Sequence, residues 1–242
     1  MSLVKQILKI VTTNHKYNTY HTLNKSHTKL TRLSQNYISQ RFNPNVCWKC
    51  GLERKNLLSV FCSECYVIQN PQETENYFRL LNLDEKFDID TKELRNKYRA
   101  LQSHLHPDKF TNKSKEEQSI SANYSSLVNK AYSNLQVPLK RAEHLLQLKG
   151  DKLGEEQTLD DPEFLMEMME LNEELDNISD IEELKKFNIK NKNQLEIIAK
   201  SIDECFRKND LKQAKAFVIK MKYYSSLGNR INGLLREKGV VD

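Results

Sequence analysis

The 242-residue chain is poor in the residues that interrupt regular structure, with six glycines, five prolines and a single tryptophan. Gly and Pro punctuate loops and turns, so their scarcity argues against a loop-rich or all-β architecture and for long helices. No apolar run approaches the ~18 residues of a membrane span. With 38% hydrophobic and 29% charged residues, the composition predicts a soluble, mainly α protein of about one or two domains, with no membrane insertion. A glycine-rich phosphate loop is also missing, and no nucleophile accompanies the histidines and acids, so an enzyme is not expected.

The most informative absence is local. From Met1 to Val46 there is no acidic residue, while Lys5, Lys9, Lys16, Lys25, Lys29, Arg32 and Arg41 contribute seven positive charges. Since the whole chain is +5, the remainder is −2. A nucleic-acid partner read from overall basicity is therefore disfavoured. The segment is rich in Ser, Thr and Asn, and Leu3, Ile7 and Ile10 recur at helical spacing. A basic, hydroxylated, acid-free amphipathic start predicts a mitochondrial presequence over 1–46. The expected compartment is the mitochondrial matrix, with the cytoplasm left open as a second one.

Four of the five cysteines form a pattern, Cys47-x-x-Cys50 and Cys62-x-x-Cys65, with eleven residues between the pairs. Each pair can turn two thiolates toward one ion, and a short hairpin can bring the pairs together. Four thiolates make a closed tetrahedral site that suits structural zinc. Iron with the same ligands is the open alternative. A closed site leaves no position for catalysis, so its expected task is to fold a module (47–70) too small to bury a core of its own. Cys205 stands alone on a later helix and reads as a small core residue.

Beyond Pro71 helical periods begin. "ETENYFRLLNL" predicts a short helix. In "DTKELRNKYRALQSHLHPDKF", Asp90 and Glu93 fit a capping box, and Leu94, Tyr98, Leu101 and Leu105 form one buried stripe. Lys92, Arg95 and Arg99 fall together on another face of this helix. His106 projects to about the same side, and Pro107 ends the helix before it. A third helix carries Ile120, Tyr124, Leu127, Ala131 and Leu135 and stops near Pro138. His106-Pro107-Asp108 alone is a weak signal. The run of basic helix, HPD turn and long helix with "NKAYSNL" is more specific, and it resembles the J domain (here 71–150). That resemblance implies docking of His106, Pro107 and Asp108, with Lys92, Arg95 and Arg99 as steering charges, on a DnaK-type heat-shock chaperone whose ATPase is stimulated.

"LKRAEHLLQLKG" predicts a connecting helix capped by Gly150, and 151–161 reads as a linker. From Pro162 three helical segments predict an antiparallel bundle over 162–242. The middle one, Ile181 to Phe206, is expected to break near "NIKNKN". In the third, Phe217, Met221, Tyr224, Ile231 and Leu235 share a side, with Tyr223 at its edge. In the first, Phe164, Met168, Leu171, Leu175 and Ile178 form a core stripe within ~40° of a common direction. Leu165, Met166 and Met169 lie outside it. They are either further packing residues or an exposed binding patch.

The order of presequence, two C-x-x-C pairs, J domain and helical bundle, with "FLMEMMELNEEL" and "MKYYSSL" in the bundle, resembles the HscB/Jac-type mitochondrial iron–sulfur cluster co-chaperones, in their animal-type form with cysteine pairs. "HPDKF" departs from some of these at Lys109. The resemblance implies that Leu165, Met166, Met169 and Tyr223 contact an IscU-type scaffold protein and that the J domain presents the complex to the chaperone for cluster transfer. A general J-protein co-chaperone for unfolded clients is the alternative; it would bind many denatured proteins instead of one main partner.

Overall fold

The computed structural model describes residues 45–57, 59–151, 154 and 161–240. The expected presequence, apart from its last two residues, and most of the expected linker lie outside the described residues. The described chain is helical: α1 (Tyr77–Leu80), α2 (Thr91–Leu105), a 3₁₀ turn (Pro107–Phe110), α3 (Lys115–Gln136), α4 (Pro138–Leu148), α5 (Pro162–Asn177), α6 (Ile181–Arg207) and α7 (Leu211–Glu237). Extended pairing among these residues is limited to two isolated antiparallel bridges, Val46 with Glu53 and Phe61 with Ile68, in the cysteine module. No helix among them is long and apolar enough to cross a membrane.

Helices α2 and α3 form an antiparallel hairpin. Tyr98 stacks on Tyr132 with ring centroids 4.1 Å apart. Gln102 Nε2 donates to the Ser125 carbonyl at 3.1 Å, and Ser121 Oγ donates to the Leu105 carbonyl at 2.7 Å. The last bond satisfies a carbonyl that the end of α2 would otherwise leave unpaired. At the start of α2, Asp90 caps the Lys92 amide, but Glu93 pairs forward with Lys97 at 2.8 Å. The reciprocal capping box expected there is formed instead by Ser114 and Glu117 at the start of α3. Val137 ends α3 in an extended conformation because Pro138 follows, and Pro138 opens α4. Gly150, at φ +81°, ends α4 in the left-handed region.

Helices α6 and α7 form the second antiparallel pair, and α5 lies against them. The expected break in α6 is absent: Ile181–Arg207 is one continuous helix. Asn188 and Asn191, which suggested a break, are buried between α6 and α7. Asn188 Nδ2 reaches Asn232 Oδ1 at 3.5 Å. Opposite Asn191 stands Gly228, where an added Cβ would lie 2.9 Å from Asn191 Nδ2. The polar run is thus a seam of small and amide residues at a close helix crossing.

One hydrophobic core joins all parts, from Val60 and Ile68 in the cysteine module, through Phe78, Leu105 and Leu146, to Phe164, Ile202 and Ile231 in the bundle. Phe87, in the loop before α2, stacks on Phe206 of α6 at 6.3 Å, and the Arg141 guanidinium lies over the Phe87 ring, 5.0 Å from its centroid. Arg141 also donates to the Leu135 carbonyl at 2.6 Å. The Asp88 amide donates to Asp203 Oδ1 at 3.2 Å. Burial of one such aromatic is worth about 1.5–3 kcal/mol, so this junction holds the hairpin and the bundle in a fixed relation.

The α6–α7 seam yields a first prediction. Gly to Ala inside a helix normally gains about 1 kcal/mol of propensity. Gly228→Ala should not show this gain, because the methyl group meets Asn191; in an Asn191→Ala background the gain should appear. Urea denaturation of the four variants of the cycle measures the coupling, and additive effects would show that the two residues do not compete for space.

Candidate functional site

Three constellations bear on function. The first is the cysteine cluster, built from two arms with the same backbone pattern. In the first arm the Cys47 amide donates to the Leu52 carbonyl at 2.8 Å and Gly51 N–H to the Cys47 carbonyl at 3.0 Å; in the second, Cys62 N–H donates to Val67 at 3.0 Å and Tyr66 N–H to Cys62 at 3.1 Å. Gly51 and Tyr66 occupy the same position, and both have positive φ, +72° and +57°. Arg54 is buried between the arms and donates to the carbonyls of Leu57 and Ser59 at 3.0 and 2.8 Å, ordering the connection. Trp48 Nε1 ties the first arm to the Ile68 carbonyl at 2.6 Å.

This scaffold brings Cys47, Cys50, Cys62 and Cys65 together with all four sulfurs within 4.8 Å of one another. Cys47 and Cys65 are 3.6 Å apart, and Cys50 and Cys62 3.8 Å. Four thiolates at about 2.3 Å from a tetrahedral ion lie about 3.8 Å from one another, so the donor set fits a metal. The cysteines are not paired as disulfides. Burial opposes ionisation of Cys47, but the amides of Cys50 and Lys49 and the Cys50 and Cys65 thiols together outweigh it and bring the thiol down to about 7. At Cys65 burial dominates and, with the neighbouring sulfurs, pushes the thiol up to about 12. A cation held among the four sulfurs would favour the thiolate form of each. Cys205 is buried in the bundle, away from this cluster.

The second constellation is the HPD turn. His106 adopts an extended ψ of 124° ahead of Pro107 and caps α2. The turn is pinned by the buried Phe110, by Lys109 N–H donating to the His106 carbonyl at 3.0 Å and by Thr111 Oγ1 donating to the Asp108 carbonyl at 3.1 Å. His106 and Asp108 remain exposed, with His106 Nδ1 and Asp108 Oδ2 3.4 Å apart. Lys92, Arg95 and Arg99 are exposed on α2. None of the three pairs with an acid among the described residues, so their charge is available to a partner.

The third is the outer face of α5. Phe164, Met168 and Leu175 are buried, while Leu171 and Ile178 are half-buried against the core. Met166 and Met169 are 64% and 66% exposed, and Leu165 is half-buried. Tyr223 of α7 is half-buried and meets Phe164 edge-on at 5.5 Å. Glu163, Glu170 and Glu173 are exposed, lie within about 60° of Met166 on the wheel and make no ion pair among the described residues. Helix α5 carries no basic residue. Its exposed methionines therefore sit in an acidic border, which sequence periodicity had not singled out. Tyr66 and the buried Gln69 also escaped notice; the alignment of "CWKCG" with "CSECY" is the signal that marks Tyr66.

A helical hairpin with an exposed HPD turn, joined to a bundle whose first helix leaves two methionines in water, is the architecture of a co-chaperone class. Residues 160–232 match the family described as the HSCB C-terminal oligomerisation domain. The mouse iron–sulfur cluster co-chaperone protein HscB is 35% identical over 188 residues, covering 76% of this chain and 80% of the mouse protein. The Arabidopsis thaliana HscB homologue is 34% identical, covering 74% of this chain and 69% of its own length. The crystal structure of human HscB has a TM-score of 0.72 at 33% identity, over 77% of this chain and 96% of the human one. The chain belongs to the HscB family of iron–sulfur cluster co-chaperones.

The equivalence of Gly51 and Tyr66 supplies a second prediction. A non-glycine residue in the left-handed region costs about 1–2 kcal/mol, and Tyr66 is 78% exposed. Tyr66→Gly should stabilise the cysteine module by about 1 kcal/mol, and Gly51→Ala should destabilise it by a similar amount. Amide exchange at Cys47 and Cys62 measures both; a loss of protection in Tyr66→Gly would mean that the tyrosine holds the arm by contact.

Proposed function

We propose that this protein binds an IscU-type iron–sulfur scaffold through its C-terminal bundle (162–242) and presents it to a DnaK-type heat-shock chaperone through its J domain (71–150). His106, Pro107 and Asp108 dock on the chaperone and stimulate its ATPase. Lys92, Arg95 and Arg99 steer the approach electrostatically. Leu165, Met166, Met169 and Tyr223 grip the scaffold. The observation that carries this reading is the exposure of Met166 and Met169 on a helix whose other apolar stripe is already buried. Large apolar side chains in water are favourable only when a partner covers them, and methionine adapts to a protein surface.

The four cysteines hold zinc as a structural ion in the 47–70 module, where Cys47, Cys50, Cys62 and Cys65 supply a closed tetrathiolate set. When bound, the ion crosslinks the two arms; the chain's own contribution is the matched backbone geometry that aims the sulfurs. The acid-free 1–46 segment directs the chain to the mitochondrial matrix as a cleaved presequence. The protein acts on its partners by binding and performs no covalent chemistry of its own.

Two outcomes are expected. His106→Gln should abolish stimulation of the chaperone ATPase with circular dichroism and melting temperature unchanged, because its ring is exposed and packs on nothing in the core; full stimulation by this variant would remove the J-domain assignment. Met166→Ala with Met169→Ala should weaken scaffold binding by at least 10-fold, about 1.4 kcal/mol, with thermal stability shifted by less than about 0.5 kcal/mol. Calorimetric titration and thermal melts are the readouts. Unchanged scaffold affinity, with the same variant failing to bind many denatured proteins, would instead favour a general client-binding co-chaperone.

A further inference from the structure

The four sulfurs are not equivalent. Cys47 and Cys62 are buried, Cys65 is half-buried and Cys50 is exposed. Among the described residues, only Cys47 accepts a hydrogen bond from a side chain outside the cluster, from Gln69 Nε2 at 3.3 Å. The same amide nitrogen lies 2.9 and 3.2 Å from the Val67 and Ile68 carbonyls, so its two hydrogens are shared among the sulfur and these two oxygens. Val67 is the residue whose carbonyl receives the Cys62 amide, and Gln69 N–H itself donates to the Val60 carbonyl at 2.8 Å. Gln69 therefore ties the sulfur of the first arm to the backbone of the second. It is 2% exposed, and a buried amide is tolerated only where its hydrogen bonds are made.

We propose that Gln69 is a positioning residue of the metal site. Its N–H group fixes the Cys47 sulfur in register with the second arm and withdraws charge from the bound thiolate. Outer groups of this kind set both the orientation and the electron donation of metal ligands. Cys47 is then the least reactive of the four sulfurs, and Cys50, exposed and without a side-chain donor outside the cluster, is the one first attacked from solvent. This inference rests on the reading that the cysteines hold a metal.

The test uses the full chain, loaded with cobalt(II) as a spectroscopic stand-in for zinc, in wild type and Gln69→Leu. Wild type should give a tetrathiolate sulfur-to-cobalt charge-transfer band and be alkylated by iodoacetamide first at Cys50 and last at Cys47. In Gln69→Leu the band should move to longer wavelength, metal affinity against a competing chelator should fall by about 10–100-fold, and alkylation of Cys47 should advance. Gln69→Met keeps the side-chain length without the donor, so it carries the test if the leucine variant misfolds. A wild-type chain lacking a tetrathiolate spectrum overturns the metal reading itself. A tetrathiolate band and alkylation order unchanged by the substitution overturn the role of Gln69. That holds even if affinity falls, because lost packing weakens binding without altering the donor strength of one sulfur.

Discussion

Helix α7 is packed from two sides, and the placement of the other elements depends on this. One side buries Tyr224, Leu227, Ile231 and Leu235 within the bundle; Val218 and Ile219 are buried as well, beside His144 and Gln147 of α4. Two ion pairs reinforce the junction, Lys215 to Asp151 just beyond α4 at 2.5 Å and Lys220 to Asp161 at the cap of α5 at 3.0 Å. Both are half-shielded, so they contribute modestly beside the apolar contact. Helix α5 covers only part of the α6–α7 pair and turns its other side to water.

This division explains what the sequence made legible. The wheel of α5 separated Phe164, Met168 and Leu175 from Met166 and Met169, because a helical period resolves directions about 100° apart. It could not say which direction faced water, since an exposed stripe and a second packing stripe have the same spacing. The same limit misled in α6: Asn188 and Asn191 looked like an interruption, yet polar residues fit a buried helix where Gly228 lets the backbones close. In α7 the one-sided stripe missed Val218 and Ile219, because contact with α4 comes from a distant part of the chain. Cys47, Cys50, Cys62 and Cys65 were readable because ligand spacing is local. Gln69 was not, since its role depends on a hydrogen bond across 22 residues.

The cysteine module is also part of the core. Val60 and Ile68 pack into the same cluster as Phe78 and Leu105, and Phe61, next to Cys62, meets His104 edge-on at 6.1 Å. His104 lies two residues before His106. The arms therefore rest on the end of α2 that carries the HPD turn. A module of about twenty residues cannot bury a core alone, and here it borrows one from the hairpin while covering one flank of it. Order in the arms and order at the end of α2 are thermodynamically linked through that shared surface, since neither can be exposed without uncovering apolar area of the other.

Charge completes the functional division. Outside the basic first segment the chain is nearly neutral, but exposed charges of one sign without an ion pair among the described residues gather at two places: Lys92, Arg95 and Arg99 on the helix that leads to the HPD turn, and Glu163, Glu170 and Glu173 beside the exposed methionines. Apolar contact alone is indifferent to its partner, and methionine more than most. A border of like charge repels acidic surfaces and favours basic ones, which is a route to specificity among surfaces of similar apolarity. The sign at α2 is opposite, so a charged surface attracted to one face is repelled by the other. This sorting comes from exposed side chains that play no part in holding the fold together.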